Sequence, residues 1–299
     1  MKQLVAFIIM LLLCSCNQGH GQNKTLKKVA DELNALTDSY ASLQPFQVGK
    51  IALKDYGLTY KDFTKNTEEI SYSESFSADK DSIDVYSLQD FYQDKIKQKL
   101  DELTTHKDFG KANIKMLVNI FATRSDDGKL YNFVYDENTG GSYQSRISYI
   151  YYTGQKGKQN QELYNPDGYH TIVTLPSKAG TSYLLLGQVV GCNTCQGCYA
   201  KLVHYTNGRP VFDFEYDLNT RMGSDNMIEY YPDDKTLAVQ YFTDDFRPYC
   251  YCLENQNDSA KKDSDENTIH QCYCKFKFNG STFVLADSSD RVAKPTDED

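Results

Sequence analysis

Three tight-turn dipeptides divide most of this 299-residue chain into short segments. They are Asp127-Gly128, Asn207-Gly208 and Asn279-Gly280. Each stands between two runs of β-branched and aromatic residues, and an Asx-Gly pair in that setting is the strongest short-range signal of a β-hairpin. Because no helical pattern separates the hairpins, the sequence predicts an antiparallel meander over residues 111–286.

The strands of the meander are predicted from their apolar runs and their period of two. Their ranges are 114–123, 130–135, 146–153, 171–175, 183–190, 199–205, 211–216, 275–278 and 282–285. Within 211–216, aromatic residues alternate with Asp213 and Glu215, so one face is expected to be buried and the other wet. The 24 tyrosines of the chain suit such strands, since a phenol ring packs on one side and keeps its hydroxyl near water.

Two helices are predicted before the meander. The first has an apolar stripe with steps of three and four, formed by Leu26, Val29, Leu33, Leu36, Tyr40 and Leu43. The stripe is shorter than three heptads, so we expect it to dock on its own domain rather than form a coiled coil. The second helix should begin with Ser87 as its cap and Asp90 three residues later. Its apolar face is formed by Leu88, Tyr92, Ile96, Leu100 and Leu103.

The expected fold class is therefore α+β and mainly β, with N-terminal helices followed by an antiparallel meander. The meander forms an open sheet or a sandwich. A β-propeller-like arrangement is the alternative, although no repeat with a fixed blade period is visible. The expected order is a signal peptide at 1–15, a tether at 16–23, a helical region at 24–110, the β domain at 111–286 with a disordered insertion at 254–268, and a polar tail at 287–299.

The first residues resemble a bacterial lipoprotein signal. Lys2 precedes ten uncharged residues at 4–13, about half the length that spans a bilayer. The sequence Leu13-Cys14-Ser15-Cys16 that follows is similar to a lipobox. The resemblance implies cleavage after Ser15 and lipidation of Cys16, and two or more acyl chains would hold the protein stably at a membrane.

The β region also carries three motifs. Residues 125–129 read Ser-Asp-Asp-Gly-Lys, residues 135–141 read Tyr-Asp-Glu-Asn-Thr-Gly-Gly, and residues 183–187 read Tyr-Leu-Leu-Leu-Gly. Together they resemble a family of uncharacterised exported proteins that is common in Bacteroidota. The resemblance implies no activity and brings no catalytic residues. The first motif is also similar to a turn of β-propeller blades, with Asp126 where that turn has proline.

Seven cysteines remain in the mature chain besides the predicted lipidation site Cys16. They are Cys192, Cys195, Cys198, Cys250, Cys252, Cys272 and Cys274. An exported protein usually oxidises its cysteines, and an odd number leaves one thiol over. Alternatively, clustered thiolates bind zinc or a soft metal such as copper, with His204 and His270 as further ligands. We favour disulfides because of the compartment, and the metal site stays as the alternative.

The two Cys-x-Cys elements each place two thiols on one face of a strand. If residues 249–253 and 271–275 are neighbouring antiparallel strands, a single register sets both pairs of cysteines opposite each other. The paired positions are Cys250 with Cys274 and Cys252 with Cys272. We therefore predict that these four sulfur atoms form one cluster, with the loop at 192–198 beside it.

No other motif indicates catalysis. Asp126, Asp127 and Asp136 could bind calcium, but aspartate also suits the turn itself. Thioredoxin-like use of Cys192 and Cys195 would need a helix N-terminus, whereas a strand-to-strand loop is expected there. A phosphate-binding glycine loop, a nucleophile elbow and a His-Glu-x-x-His motif are all missing from the sequence.

The expected function is that of a non-enzymatic binding or assembly lipoprotein of the cell envelope, with a cysteine-stapled β domain and no cofactor. We expect it to face the periplasm, with exposure at the cell surface as the alternative. Its partners would be the membrane, through the lipid, and another envelope protein. A net charge of -9 argues against nucleic acid. The alternative is a lipoprotein that binds zinc or copper through thiolates.

Overall fold

The computed structural model describes residues 25–46, 49–64, 75–111, 114–138, 146–154, 168–192, 195–220, 227–243 and 269–292. Several predictions concern residues outside these ranges. They are the signal peptide at 1–15, the lipidation site Cys16, the tether at 16–23, the cysteines Cys250 and Cys252, and the insertion at 254–268.

The N-terminal region is mainly helical, as predicted. In chain order it contains α1 (Leu26–Ala41), β1 (Lys50–Ala52), a 3₁₀ helix (Leu53–Tyr56), α2 (Tyr60–Thr64), β2 (Ser82–Asp84) and α3 (Val85–Thr105). The apolar stripes of α1 and α3 face each other in one core, and Lys99 joins the two helices through a 2.7 Å ion pair with Glu32. The prediction that α1 docks on its own domain is confirmed. Of the described helices, none is both long and apolar enough to span a membrane.

The start of α3 differs from the prediction. Asp84 is the N-cap residue, and its carboxylate accepts a hydrogen bond from the Ser87 N–H at 2.9 Å. The Ser87 hydroxyl donates to the same carboxylate at 3.0 Å. The prediction of Ser87 as the cap was wrong by three residues, because a carboxylate at the end of β2 already satisfies the first N–H groups and suits the positive end of the helix.

The β region is an antiparallel meander, as predicted. Its strands are β3 (Phe121–Arg124), β4 (Leu130–Asp136), β5 (Arg146–Tyr152), β6 (Tyr169–Ser177), β7 (Gly180–Cys192), β8 (Cys195–Thr206), β9 (Arg209–Thr220), β10 (Met227–Tyr231), β11 (Thr236–Thr243), β12 (His270–Phe278) and β13 (Phe283–Val292). In sequence order they form sheet I (β3–β5), sheet II (β6–β9) and sheet III (β10–β13). In this part of the chain each sheet remains open, and the sheets are fewer than the four to eight blades of a closed propeller.

Four layers are stacked on one another. The helices pack on one face of sheet I, against Tyr131, Phe133, Tyr135, Tyr149 and Tyr151. The other face of sheet I meets sheet II, in a core that contains Leu130, Ile150, Tyr169, Tyr183, Leu185 and Tyr199. The second face of sheet II packs against sheet III, in a core that includes Leu184, Leu202, Leu237, Tyr241, Cys272 and Cys274. Sheet II is therefore buried on both faces.

The first strand of sheet I is shorter than predicted. The range 114–123 was expected to be one strand, but it begins with a 3₁₀ turn and contains Asn119 with a positive φ of 59°. Asn34 of α1 explains the difference. Its amide donates to the Met116 carbonyl at 3.1 Å and accepts from the Val118 N–H at 2.8 Å. These bonds use backbone groups that a strand ladder would have needed.

The surroundings of β12 also differ from the prediction. β12 pairs with β11 on one side and with β13 on the other, so neither edge is open to residues 249–253. The predicted ladder between the two Cys-x-Cys elements is therefore wrong. β10 and β11 were not predicted, since Pro232, Asp233, Asp234 and Lys235 form a turn without glycine. At the other end, β13 continues to Val292, through residues predicted to be a frayed tail.

A candidate ligand-binding cleft

A cleft of about 510 Å³ opens at one end of the boundary between sheets I and II. Its walls come from the start of β3, the end of β4, the start of β5 and the start of β6. The volume lies within the range of about 300–1,000 Å³ that is usual for small-molecule sites. The cleft is therefore large enough to hold a small-molecule ligand.

The ladder of sheet I sets four side chains of the cleft on one face. Phe121 lies opposite Val134, and Asp136 lies opposite Arg146. Residues alternate along a strand and opposed residues share a face. Asn132, on the same side of β4, bonds to sheet II. All four side chains are therefore on the face that sheet I turns toward sheet II.

A β-bulge at the start of β6 places His170 beside the cleft. The register between β6 and β7 shifts between Tyr169 and Thr171, so His170 has no direct counterpart on β7. Bulges commonly redirect a side chain in this way. The preceding residue is fixed, because the Asn132 amide donates to the Tyr169 carbonyl at 2.5 Å. The bulge therefore adds a titratable ring to a wall that is held by sheet I.

Gly168 allows the two sheets to meet closely at the back of the cleft. Its φ is +70°, and a Cβ atom placed on it would lie 2.5 Å from Cγ1 of Val134. Glycine avoids both the backbone strain and the clash. The Tyr199 hydroxyl of sheet II donates a hydrogen bond to the Gly168 carbonyl. The depth of the cleft is thus determined by a direct contact between sheets I and II.

The rim of the cleft carries one cation, one anion and one imidazole. Asp136, Arg146 and His170 are all exposed. The Asp136 carboxylate accepts the Asn138 N–H at 2.7 Å. Within the described ranges, no carboxylate lies within ion-pair distance of Arg146 and no acceptor takes a hydrogen bond from it. His170 keeps an exposed side, but partial burial of its ring, with the positive charge of Arg146 adding to it, lowers the pKa of His170 below its ordinary value. His170 is therefore expected to be neutral at pH 7.

Apolar side chains form the floor of the cleft. Ile120, Val134 and Tyr169 are buried there. Phe121 is different, because 55% of its surface is exposed although it stands at the mouth of an apolar cavity. An exposed ring in such a place contributes to binding when a ligand covers it.

The motif that begins at Tyr135 fastens this end of sheet I to the helices. Asn138 has a positive φ of 56° and donates to the Leu43 carbonyl at 2.8 Å. The Gln89 amide of α3 donates to the Asn138 carbonyl at 2.9 Å, and the Tyr40 hydroxyl donates to the Glu137 carbonyl at 2.5 Å. The described part of the motif thus positions the cleft wall. Its last three residues, Thr139, Gly140 and Gly141, lie outside the described ranges.

The turn at Asp127 has a structural role as well. Its carboxylate accepts hydrogen bonds from the Ser125 hydroxyl at 2.7 Å, the Lys129 N–H at 3.2 Å and the Tyr183 hydroxyl at 2.9 Å. Burial alone would raise the pKa of Asp127, but these hydrogen bonds bring it below its ordinary value. Burial raises the pKa of Tyr183, and the Asp127 charge adds to this. The motif joins sheet I to sheet II, which favours the turn interpretation of these aspartates over a calcium site.

Two of the predicted cysteines form part of the core between sheets II and III. Cys272 and Cys274 are fully buried, and both are disulfide-bonded. Residues two apart on a strand are separated by about 6.6 Å, whereas disulfide Cβ atoms lie about 3.5–4.5 Å apart. The two are therefore not bonded to each other. Their partner cysteines lie outside the side chains that the structure describes, so the predicted clustering with Cys250 and Cys252 stays a prediction.

The other cysteines belong to the hairpin of β7 and β8. Residues 192–198 were expected to be a loop, but β7 ends at Cys192, β8 starts at Cys195, and these two are paired in register. Cys198 lies on β8 as a buried thiol, and burial raises its pKa to about 11. A thiol with so high a pKa carries little thiolate at neutral pH and is a poor nucleophile. No side-chain geometry is described for Cys192 or Cys195.

The two histidines proposed as metal ligands each lie against an aspartate. His204 Nδ1 is 2.6 Å from Asp213 Oδ2, and His270 Nδ1 is 2.7 Å from Asp290 Oδ1. The described residues contain no group of three or more histidine, cysteine or acidic side chains that could hold a metal ion. His204 is on β8 and His270 on β12. The structure thus gives each histidine one carboxylate neighbour.

Comparison of the chain with family models, with curated proteins and with solved structures found no match. The interpretation of the cleft therefore depends on its own residues. Phe121, Arg146 and His170 were not singled out from the sequence. They are distant in the chain, and only the bulge and the ladder of sheet I bring them together.

Proposed function

We propose that this protein is a lipid-anchored binding module of the cell envelope and that the cleft between sheets I and II is its ligand site. The observation that carries the proposal is a cavity of about 510 Å³ with an exposed aromatic ring, Phe121, at its mouth and three polar groups, Asp136, Arg146 and His170, at its rim. An apolar pocket with a few convergent polar groups is the usual form of a small-molecule site.

Binding is favoured over catalysis by the chemistry of the lining. Among the described residues that line the cleft, none is a serine, cysteine or lysine that could act as a nucleophile. One carboxylate oxygen of Asp136 already accepts a hydrogen bond from the Asn138 N–H. The site can orient a ligand through charge and hydrogen bonds without reacting with it.

The cleft is tested with a neutral probe, Nile red, whose emission shifts to the blue in an apolar site. We expect one bound dye per chain, and Phe121→Ala should weaken its binding about tenfold or more because a ring contact of about 1.5–3 kcal/mol is lost. Val284→Ala is the matched control, since Val284 is also exposed but lies on β13. Equal effects of the two substitutions, or no dye binding, would contradict the proposal.

The anchor is tested separately. Residues 13–16 support lipidation of Cys16 by resemblance to a lipobox. Cells grown with a clickable palmitate analogue should label the protein, and Cys16→Ala should abolish the label and release the chain from membranes or leave it as a precursor. A wild-type chain that is processed normally but is not labelled would contradict lipidation of Cys16.

Thiolate metal binding is not favoured by any observation on the described residues. In the disulfide-bonded form, Cys272 and Cys274 offer no thiolate to a metal. Metal analysis of protein purified without chelator is expected to find no stoichiometric zinc or copper. One bound equivalent, lost on alkylation of the thiols, would restore the alternative.

A further inference from the structure

We propose that the cleft recognises a molecule with a carboxylate group, bound by Arg146, beside an apolar group that covers Phe121. This inference rests on the proposed function, because it names the ligand class of the same site.

Arg146 is placed to bind an anion that is not part of the described chain. It opens β5 directly opposite Asp136, yet the two do not form an ion pair, and Asp136 takes the Asn138 N–H instead. No other carboxylate in the described ranges reaches the Arg146 guanidinium. A guanidinium presents a rigid fork of N–H groups that matches the two oxygens of a carboxylate.

The charges of the rim favour a monoanion over a phosphate. Arg146 supplies one positive charge, Asp136 supplies one negative charge, and His170 adds none because its pKa is lowered. A dianionic phosphate beside Arg146 would face Asp136 across the ladder without a second cation to balance it. A carboxylate bears a single negative charge, so Asp136 repels it less.

His170 supplies a hydrogen bond rather than a charge. Its Nδ1 lies 2.9 Å from the Thr171 hydroxyl oxygen, so Nε2 is the ring nitrogen that can meet a ligand. The neutral ring either donates or accepts at Nε2, depending on its tautomer. A polar atom next to the carboxylate, such as an amide, can use this position.

Phe121 completes the recognition. It lies on the same face of sheet I as Arg146, two strands away in the order β3–β4–β5. Neighbouring strands are about 4.8 Å apart, and Val134 and Asp136 lie two residues apart along β4, so the backbones of Phe121 and Arg146 are separated by about 12 Å. Long side chains span that gap around a ligand of the size of one aromatic amino acid.

The test compares two probes that differ only at the carboxyl group, N-acetyl-phenylalanine and its neutral amide, as displacers of bound Nile red from the mature chain. The acid should bind about tenfold or more tightly than the amide. Arg146→Gln should remove this difference and leave the affinity of the amide within about twofold. Arg124→Gln is the control, because Arg124 is an exposed arginine at the other end of β3.

Each outcome has a distinct meaning. Equal affinities for acid and amide, or a difference that survives Arg146→Gln, would overturn the inference. Tighter binding of phenyl phosphate than of phenylacetate would overturn the choice of carboxylate. If Nile red binds but neither phenylalanine derivative displaces it, the inference fails while the cleft remains a binding site. If Nile red does not bind, the proposed function itself fails. Thermal melting of each variant should match the wild type, since the replaced arginines are exposed.

Discussion

The two faces of sheet II are packed in different ways, although both are buried. Toward sheet I, the core contains Tyr169, Tyr183 and Tyr199, and the Tyr183 hydroxyl donates across the boundary to Asp127. Toward sheet III, the core contains leucines, phenylalanines and the disulfide-bonded Cys272 and Cys274. Side-chain hydrogen bonds of Asn132 and Tyr183 cross the interior of the first boundary. The second is filled mainly by apolar side chains, with hydrogen bonds from the Thr282 hydroxyl to the Asp213 carbonyl and from the Lys178 N–H to the Gly280 carbonyl.

This difference fits the position of the cleft at the end of the boundary between sheets I and II. Hydrogen bonds from the Asn132 amide to the Tyr169 carbonyl and from the Tyr183 hydroxyl to Asp127 hold sheets I and II together at specific points. Between such points, the boundary can open at its end without losing the rest of the core. Non-directional apolar packing favours continuous contact, because each gap forfeits dispersion and burial. A ligand site is therefore easier to accommodate at the boundary between sheets I and II.

The largest expected loss of stability concerns the boundary between sheets II and III, where Cys272 and Cys274 are buried. Cys272→Ser and Cys274→Ser should each lower the free energy of unfolding by about 2–5 kcal/mol, because a native disulfide is lost from a buried position. Cys198→Ser removes a buried thiol on the same boundary and should cost less. The measurement is chemical denaturation of each variant by circular dichroism.

The same variants test the separation of the two sides. Nile red binding at the cleft should persist in Cys274→Ser under native conditions. Peptide mapping without reduction should join Cys272 and Cys274 to Cys250 and Cys252. Disulfide bonds from Cys272 and Cys274 to Cys192 and Cys195 instead would overturn that pairing. Loss of Nile red binding in Cys274→Ser would show that the two boundaries of sheet II are not independent.

A smaller loss of stability is expected at the boundary between sheets I and II, where Tyr183 is buried. Tyr183→Phe removes a hydrogen bond to the charged Asp127 and should cost about 1.5–3 kcal/mol. Tyr231→Phe is the control, because Tyr231 is 45% exposed and its hydroxyl bonds to Glu229 on the surface. Thermal denaturation would measure both. Equal losses of stability in the two variants would show that the buried Tyr183 hydrogen bond contributes no more than the surface bond of Tyr231.

The hairpins were predictable because each depends on neighbouring residues. Asn207 and Gly208 have positive φ angles of 51° and 76°, which these two residue types adopt easily. The partner of β12 was not predictable in this way. β11 precedes it by a long segment, and no local pattern marks the pairing.

The cleft was not predictable for the same reason. Its residues come from four strands, and His170 faces it only because of a bulge. The cysteines were visible in the sequence, yet their role depends on which sheets enclose them. Only the core between sheets II and III shows that Cys272 and Cys274 are buried.

The smallest expected effect is a change in the pKa of His170. In the wild type, the His170 ring should titrate below the ordinary imidazole value of about 6.5, and Arg146→Gln should raise this pKa without restoring it fully, since burial is the larger cause. Because the folded-state pKa is lowered, His170 should reduce stability as the pH falls below about 6.5 and have no effect above it. Proton NMR of the ring would measure this. An unchanged pKa in Arg146→Gln would place Arg146 away from His170.

The most direct test of the account is a map of ligand contacts by chemical-shift perturbation with N-acetyl-phenylalanine. We expect shifts at Phe121, Asp136, Arg146 and His170, with the residues between sheets II and III unaffected. Shifts confined to sheet III, or none at saturating ligand, would contradict the claim that this protein binds its ligand in the cleft between sheets I and II.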